Sequence, residues 1–173
     1  MPTHYRGAPS EVAALDAYIK LMRAAESVTA RLQPSMGAAG LTVGQFGALE
    51  ALWHLGPLCQ RDLGRKLLRS NGNITVVVGN LALRGLVRRS RRRDDRRFIT
   101  VSLTEKGRRL ISILFPRHVS LLVREMDPLS PREQTQLGRL CRLLGRRARG
   151  RSAGKEISNG SKPGDTLRLA RAL

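Results

Sequence analysis

The chain has 173 residues and carries 32 Lys and Arg against 13 Asp and Glu, which gives a formal net charge of +19 and a pI near 11.7. Such a charge favours a polyanionic partner, and double-stranded DNA is the expected one. No apolar run approaches the roughly 18 to 20 residues of a membrane-spanning helix, and the amino terminus lacks a secretory signal, so we expect a cytoplasmic, prokaryote-like protein with no membrane partner.

The first predicted element is a helix over residues 10–33, preceded by a flexible arm at residues 1–9. Ser10 is the expected N-cap, and Pro34 together with two following glycines is expected to end the helix. Its apolar residues recur at helical spacing, which predicts that they lie along one side of the helix. These residues are Val12, Leu15, Ile19 and Met22.

A second helix is predicted to begin after Thr42, because Thr42 and Gln45 have the spacing of a capping box. Its buried stripe is expected to contain Phe46, Leu49, Leu52 and Trp53. A very short strand at Leu58 and Cys59 and a third helix over residues 61–68 are predicted to follow.

Ser70 is the predicted cap of a fourth helix whose interior contradicts simple propensity. Residues 74–78 are β-branched, and a glycine follows them, so propensity alone predicts a strand. The apolar spacing instead predicts a helix that ends at a left-handed Gly85. The residues with this spacing are Ile74, Val77, Val78 and Leu81.

Alternating residues at 86–91 and 98–103 predict a β-hairpin with an arginine-rich tip. Eight arginines lie between positions 84 and 97, and only Asp94 and Asp95 oppose them. A helix capped by Thr104 is expected to run to about Met126, and a last helix is expected to begin at Ser130. From residue 148 the composition predicts a basic, disordered tail to residue 173.

Patterns typical of enzymes and metal centres are absent from the sequence. Cys59 and Cys141 have no CxxC spacing and are expected to be free thiols, and the three histidines are scattered. There is also no GxSxG motif and no phosphate-binding loop. We expect no enzyme activity, no cofactor and no metal.

In this order, the elements and motifs resemble the MarR family of winged helix-turn-helix transcription regulators. The resemblance extends over about residues 12–147 and rests on the LTxxQFxxL segment at 41–49, the Gly85-Leu86-Val87 step, Asp95-Arg96-Arg97 and the Leu-Thr-Glu-Lys-Gly segment at 103–107. It implies a mainly α fold with a small β-hairpin wing, and a single domain over residues 10–147. Within it, residues 41–103 would be the winged helix-turn-helix, and residues 10–33 and 104–147 the dimerisation helices. It also implies a homodimer on a pseudo-palindromic operator, with release by a small ligand or by thiol chemistry.

The fourth helix and the hairpin are the predicted DNA-binding surface. A helix after a turn presents its first residues to base edges, and a hairpin beside it can place arginine in the minor groove. From the resemblance, Asp95 pairs with a nearby arginine to hold the wing, and Arg96 or Arg97 enters the minor groove. The full predicted set is Ser70, Asn71, Asn73, Thr75, Val76, Asn80, Arg91, Arg92, Arg93, Asp95, Arg96 and Arg97.

The first helix and the last two carry more apolar surface than a small winged domain covers, which indicates pairing across a two-fold axis. Such pairing would place two recognition helices roughly 34 to 36 Å apart. The predicted interface residues are Leu15, Ile19, Met22, Leu121, Leu122, Leu137, Leu140 and Leu144.

Trp53, His54 and His118 are the candidates for lining an effector crevice. The resemblance implies such a crevice, because many members of the MarR family hold phenolic or aromatic-acid effectors in one. Each also has a plainer interpretation: Trp53 as core, and the two histidines as surface or packing residues. Cys59 and Cys141 are interpreted as buried structural thiols, since the reactive cysteine of peroxide-sensing members of that family lies near the start of the first helix and has no counterpart here. The resemblance implies a sequence-specific transcriptional regulator, a repressor that a small aromatic or phenolic effector releases; the alternative is a nonspecific architectural, nucleoid-type protein that coats DNA without sequence preference.

Overall fold

The structure is a computed structural model that describes residues 4–68, 70–91 and 98–147. The predicted tail at 148–173 and the hairpin tip at 92–97 lie outside the described residues. The predicted mainly helical fold with a small hairpin is confirmed. Its elements are α1 (Pro9–Gly37), α2 (Val43–Leu55), β1 (Leu58–Cys59), α3 (Gln60–Lys66), α4 (Asn71–Leu83), β2 (Val87–Arg91), β3 (Ile99–Leu103), α5 (Glu105–Met126) and α6 (Pro131–Arg147).

Helix α1 is longer at both ends than the prediction. It begins at Pro9, with Ala8 as N-cap, and the Glu11 carboxylate accepts a hydrogen bond from the Ala8 amide at 2.9 Å. Pro34 lies inside the helix, so the prediction that it ends α1 is wrong. Leu32 and Met36 are buried on either side of it, and we attribute the extra turn to this packing, which offsets the hydrogen bond that proline cannot donate.

The cap of α2 is confirmed. The Thr42 hydroxyl accepts from the Gln45 amide at 3.2 Å, and the Gln45 side-chain oxygen accepts from the Thr42 amide at 3.0 Å. Of the predicted stripe, three residues are buried, whereas Trp53 is half-buried. The three buried residues are Phe46, Leu49 and Leu52.

Helix α4 confirms that apolar spacing outweighs β-propensity in this segment. Its four predicted inward residues, Ile74, Val77, Val78 and Leu81, are buried in the same core as α2 and α3. Tertiary burial of a complete helical face therefore decides the conformation of the β-branched run. Gly85 has φ +67°, as predicted for the residue that ends the helix.

The three strands form one antiparallel sheet in the order β1-β3-β2. Val87 pairs with Leu103 at the inner end of the hairpin, and Arg91 pairs with Ile99 at the outer end. The short strand β1 joins the other edge of β3 through Leu58 and Val101. The wing is therefore attached, through the middle of β3, to the segment that leads into α3.

The chain divides after Pro128 into two units, and α6 belongs to the second. Ser130 caps α6: the Glu133 carboxylate accepts from the Ser130 hydroxyl at 2.7 Å and from its amide at 2.8 Å. The hydrogen bond from the Ser130 hydroxyl lowers the pKa of Glu133 most, and the bond from the Ser130 amide lowers it further. The ionised cap is therefore kept at neutral pH and is lost only as the pH falls through that lowered pKa.

None of the described helices combines the length and apolar character needed to cross a membrane.

Candidate nucleic-acid interface

The amino-terminal end of α4 is positioned by Ser70, whose hydroxyl accepts from the Asn73 amide at 3.3 Å. This confirms the predicted cap. Val76 lies on the side opposite the buried stripe and keeps 61% of its surface exposed, and the flanking residues Asn73, Thr75 and Asn80 are exposed as well. Asn71 lies in the first turn of the helix. The exposed side of α4 therefore carries Val76, with Asn73, Thr75 and Asn80 at its edges.

The exposed face of α4 is neutral and narrow. No charged residue occurs between Ser70 and Leu83. Gly72 and Gly79 share the helix side with Val76, and a Cβ added at either would meet nothing within 4 Å. Packing therefore does not require these glycines, and their effect is to reduce the width of the exposed face.

Cations flank this neutral face on α3. Arg61, Arg65 and Lys66 are exposed, and Arg65 is paired with Asp62 on its own helix. The Gln60 side-chain Nε2 donates to the Thr75 hydroxyl at 2.9 Å and so links α3 to α4. The sequence prediction did not include the α3 cations. They could have been found from the order of the motif, because a helix that directly precedes α4 in a helix-turn-helix lies beside it.

The described part of the wing adds Arg88 and Arg89, which are exposed on β2. The Arg88 Nε donates to the Ser102 hydroxyl at 3.0 Å across the hairpin. The Arg61 guanidinium carbon lies 5.8 Å from the centre of the Phe98 ring, which connects α3 to the outer end of the hairpin, next to the start of β3. Arg91 is the last residue of β2. The other predicted wing residues, Arg92, Arg93, Asp95, Arg96 and Arg97, lie outside the described residues.

The three predicted dimerisation helices all expose apolar side chains in the single chain. Leu15 and Met22 on α1, Leu122 on α5, and Leu137, Leu140 and Leu144 on α6 are exposed. Ile19 and Leu121 are half-buried, and Leu121 also packs against the core. The prediction omitted Val123 and Leu143, which are exposed as well.

A cavity of about 510 Å³ lies between the end of α1, α2 and α5. Phe46, Met36 and Leu121 give it apolar walls, and Arg117, His118 and Arg124 contribute polar groups. The His118 ring centre lies 4.5 Å from that of Phe46. The Nδ1 atom of His118 is buried and has no hydrogen-bond partner among the described residues.

The three effector candidates do not converge on this cavity. His118 lines it, but Trp53 and His54 do not. His54 is exposed and packs edge-on against Phe115, with ring centres 4.7 Å apart, and Trp53 lies beside Arg108. Arg117 and Arg124 were not predicted, because only the packing of α5 against α1 and α2 shows which α5 residues face inward.

Neither cysteine lines the cavity beside His118. Cys59 is half-buried and lines a second cavity, of about 400 Å³, between the starts of α3, α4 and β3. Cys141 is exposed on α6, so the interpretation as a buried thiol is wrong for the single chain. Within the described ranges, no group of three or more His, Cys, Asp or Glu could hold a metal ion.

Comparison with known proteins places these observations among DNA-binding regulators. The sequence profile of the MarR family matches residues 41–99. The chain is 32% identical to the uncharacterized HTH-type transcriptional regulator YkoM of Bacillus subtilis over 124 residues, which is 72% of this chain and 80% of YkoM. It is 30% identical to the HTH-type transcriptional regulator MhqR of the same organism over 135 residues, which is 78% of this chain and 93% of MhqR.

A solved structure is similar over most of the chain. Bordetella bronchiseptica BpsR, described in terms of the regulation of its DNA binding by 6-hydroxynicotinic acid, is 26% identical with a TM-score of 0.69. The similarity covers 75% of this chain and 98% of BpsR. The described winged helix-turn-helix therefore has close counterparts in both sequence and structure.

Proposed function

From the premise that this chain belongs to the MarR family of DNA-binding transcription regulators, we propose that it is a sequence-specific repressor. It binds a pseudo-palindromic operator as a homodimer, and a small aromatic or phenolic effector releases it. The members of this family that it matches are transcription regulators rather than enzymes.

The open, uncharged face of α4 is the observation that carries this proposal. Asn side chains can donate and accept on an adenine edge, and Val76 can contact a thymine methyl group. The arginines beside this face, on α3 and β2, are suited to phosphates, which supply affinity without sequence information. A neutral reading face between cationic flanks supports specific recognition. A protein that only coats DNA would depend on the charges alone.

Footprinting on the protein's own promoter region, at physiological salt and with excess competitor DNA, tests the proposal. We expect protection of one site whose half-sites lie about one helical turn apart, bound at least about a thousandfold more tightly than bulk DNA. Uniform protection along the fragment would instead establish the architectural alternative.

Gly79→Ala is expected to separate folding from operator reading. Alanine in a helix interior stabilises by about 0.5–1 kcal/mol relative to glycine, and the added methyl meets no protein atom within 4 Å. The methyl does widen the face that carries Val76. We therefore expect a higher unfolding temperature together with operator affinity about tenfold lower, in the range of one poorly matched base pair.

Gly138→Ala, an equally open helix position on α6, is the matched control and should leave operator affinity unchanged. Thermal unfolding and electrophoretic shift measure both properties. Unaltered operator binding by Gly79→Ala would mean that α4 does not approach the bases through this side.

The cavity beside His118 supports the effector part of the proposal. Its volume of about 510 Å³ is in the range of small-molecule sites. Apolar walls with arginine on one side suit a planar ring that carries an anionic or phenolic oxygen. BpsR, whose regulator is 6-hydroxynicotinic acid, supplies the chemical class of the first compounds to test.

We expect at least one aromatic carboxylate, with 6-hydroxynicotinic acid tested first, to raise the unfolding temperature and release DNA. Arg124→Met should raise its dissociation constant about tenfold through loss of a charge-assisted contact, without weakening DNA binding in its absence. Arg108→Met, beside Trp53 and away from the cavity, is the control. The site assignment fails if both variants bind the compound equally, or if no aromatic carboxylate stabilises the wild-type protein.

A further inference from the structure

Arg84 follows the last turn of α4, and its side chain runs back to the turn that joins α1 to α2. Its Nη1 donates to the Gly40 carbonyl at 2.6 Å, and its Nη2 donates to the Ala39 carbonyl at 2.9 Å. These partners lie 44 and 45 residues away in sequence. The recognition helix is thus joined at its carboxyl end to the end of a dimerisation helix.

The geometry of this contact fixes a direction as well as a distance. The two donors belong to one planar guanidinium, so both bonds form only when α4 and the turn keep one relative orientation. The acceptors follow the carboxyl end of α1, where the helix dipole attracts a cation. The turn itself is held, because Gly40 has φ +65° and its amide donates to the Gly37 carbonyl at 2.7 Å.

The same end of α4 is also held from α5. The Lys106 ammonium donates to the Arg84 carbonyl at 3.1 Å, and the Thr104 hydroxyl donates to the Gly85 carbonyl at 2.7 Å. The carboxyl end of the recognition helix is therefore fastened to the turn that follows α1 through the Arg84 side chain, and to the start of α5 through its backbone. Both of these helices expose apolar side chains that the proposed dimer would bury.

In a two-fold dimer, the angle at which α4 is attached to α1 and α5 determines the separation of the two reading faces. We propose that Arg84 is a positioning residue that sets this angle and so determines which spacing between half-sites the dimer accepts. The inference rests on the proposed function, since it requires a dimer on a two-part operator. In it, Arg84 acts through α4 and contacts no phosphate.

The test compares wild type, Arg84→Met, Arg84→Lys and the control Arg109→Met on the footprinted operator and on versions with one base pair added or removed between half-sites. Arg109 is an exposed α5 residue whose ion pair, with Glu105 at 3.8 Å, stays within its own helix. Wild type and Arg109→Met should lose about tenfold or more in affinity when the spacing changes, in the range of a poorly matched site. Arg84→Met should bind the original operator about tenfold more weakly and distinguish the three spacings by less than about threefold.

Salt dependence separates positioning from direct contact. Loss of a phosphate contact would reduce the slope of log K against log salt by about one, whereas a positioning role predicts an unchanged slope for Arg84→Met. Arg84→Lys, which keeps the charge but not the fork, should fall between wild type and Arg84→Met in spacing preference. Thermal unfolding shows whether each variant is folded in the assay, and Arg84→Lys decides the question if Arg84→Met is not.

The inference is overturned if Arg84→Met, or Arg84→Lys where Arg84→Met is unfolded, keeps the wild-type spacing preference. It is also overturned if the salt slope of Arg84→Met falls by about one with an equal loss of affinity on every DNA. A wild-type protein that prefers no operator would contradict the proposed function instead, so the two failures are distinguishable.

Discussion

A Leu140→Glu/Leu144→Glu variant is expected to be monomeric and to bind the operator at least about a hundredfold more weakly than wild type. These leucines are 42% and 61% exposed in the single chain and lie on the apolar side of α6. A partner that buries them would have to bury two unpaired carboxylates in the variant, which is strongly unfavourable. A monomer holds one half-site and loses the gain in effective concentration, typically a factor of about 10² or more, that a second linked site supplies.

The matched control is Thr135→Glu/Arg139→Gln, which makes the same change in net charge on the opposite, polar side of α6. It should remain dimeric and bind the operator with an affinity close to that of wild type. Light scattering at micromolar concentration gives the oligomeric state, and electrophoretic shift gives the affinity. A dimeric leucine variant would place the subunit interface elsewhere, and a monomeric one with wild-type affinity would remove the need for two subunits.

Gly107→Ala is expected to reduce the free energy of unfolding by about 3 kcal/mol or more, at the upper end of the range for overpacked sites. A Cβ at position 107 would lie 2.0 Å from the Leu86 carbonyl oxygen and 2.9 Å from its carbon. The added Cβ is fixed to the backbone of α5, and the atoms that it meets are backbone atoms of Leu86. The clash can therefore be removed only by moving α5 away from the start of β2. The same Leu86 oxygen accepts from the Thr104 amide at 3.1 Å, and this bond would be lost or weakened too.

Urea unfolding of Gly107→Ala measures the effect, with the open position Gly138→Ala as control. The control should be neutral or slightly stabilising, because alanine is the better helix former. A loss below about 1 kcal/mol in Gly107→Ala would show that α5 can shift without cost at this point. The prediction also gives a physical reason for the glycine that closes the Leu-Thr-Glu-Lys-Gly segment.

Several features of the fold could be predicted because their causes lie within a few residues of sequence. The caps formed by Thr42 with Gln45 and by Ser130 with Glu133 join residues three positions apart. Apolar spacing identified α4 as a helix despite its β-branched run. The exposed position of Asn73 and Val76 follows directly from that spacing, so the reading face of the candidate site was also predictable.

The errors arose where distant residues compete with local preference. Pro34 is a local stop signal, but the burial of Leu32 and Met36 extends α1 beyond it. Trp53, His54 and His118 all suit an aromatic effector by residue type, yet only His118 faces the cavity. The cavity arginines, Arg117 and Arg124, were not predicted, because the face that α5 turns toward α1 and α2 depends on how the three helices pack.

The amino-acid sequence by itself determined the family, the order of the elements, their caps and the cationic character of the DNA-binding half, because each depends on composition or on neighbours a few residues apart. Only the tertiary structure decided the true ends of α1, the lining of the cavity and the attachment of Arg84 to Gly40. These depend on contacts between residues far apart in the chain, which exist only after the helices have packed and buried their apolar faces.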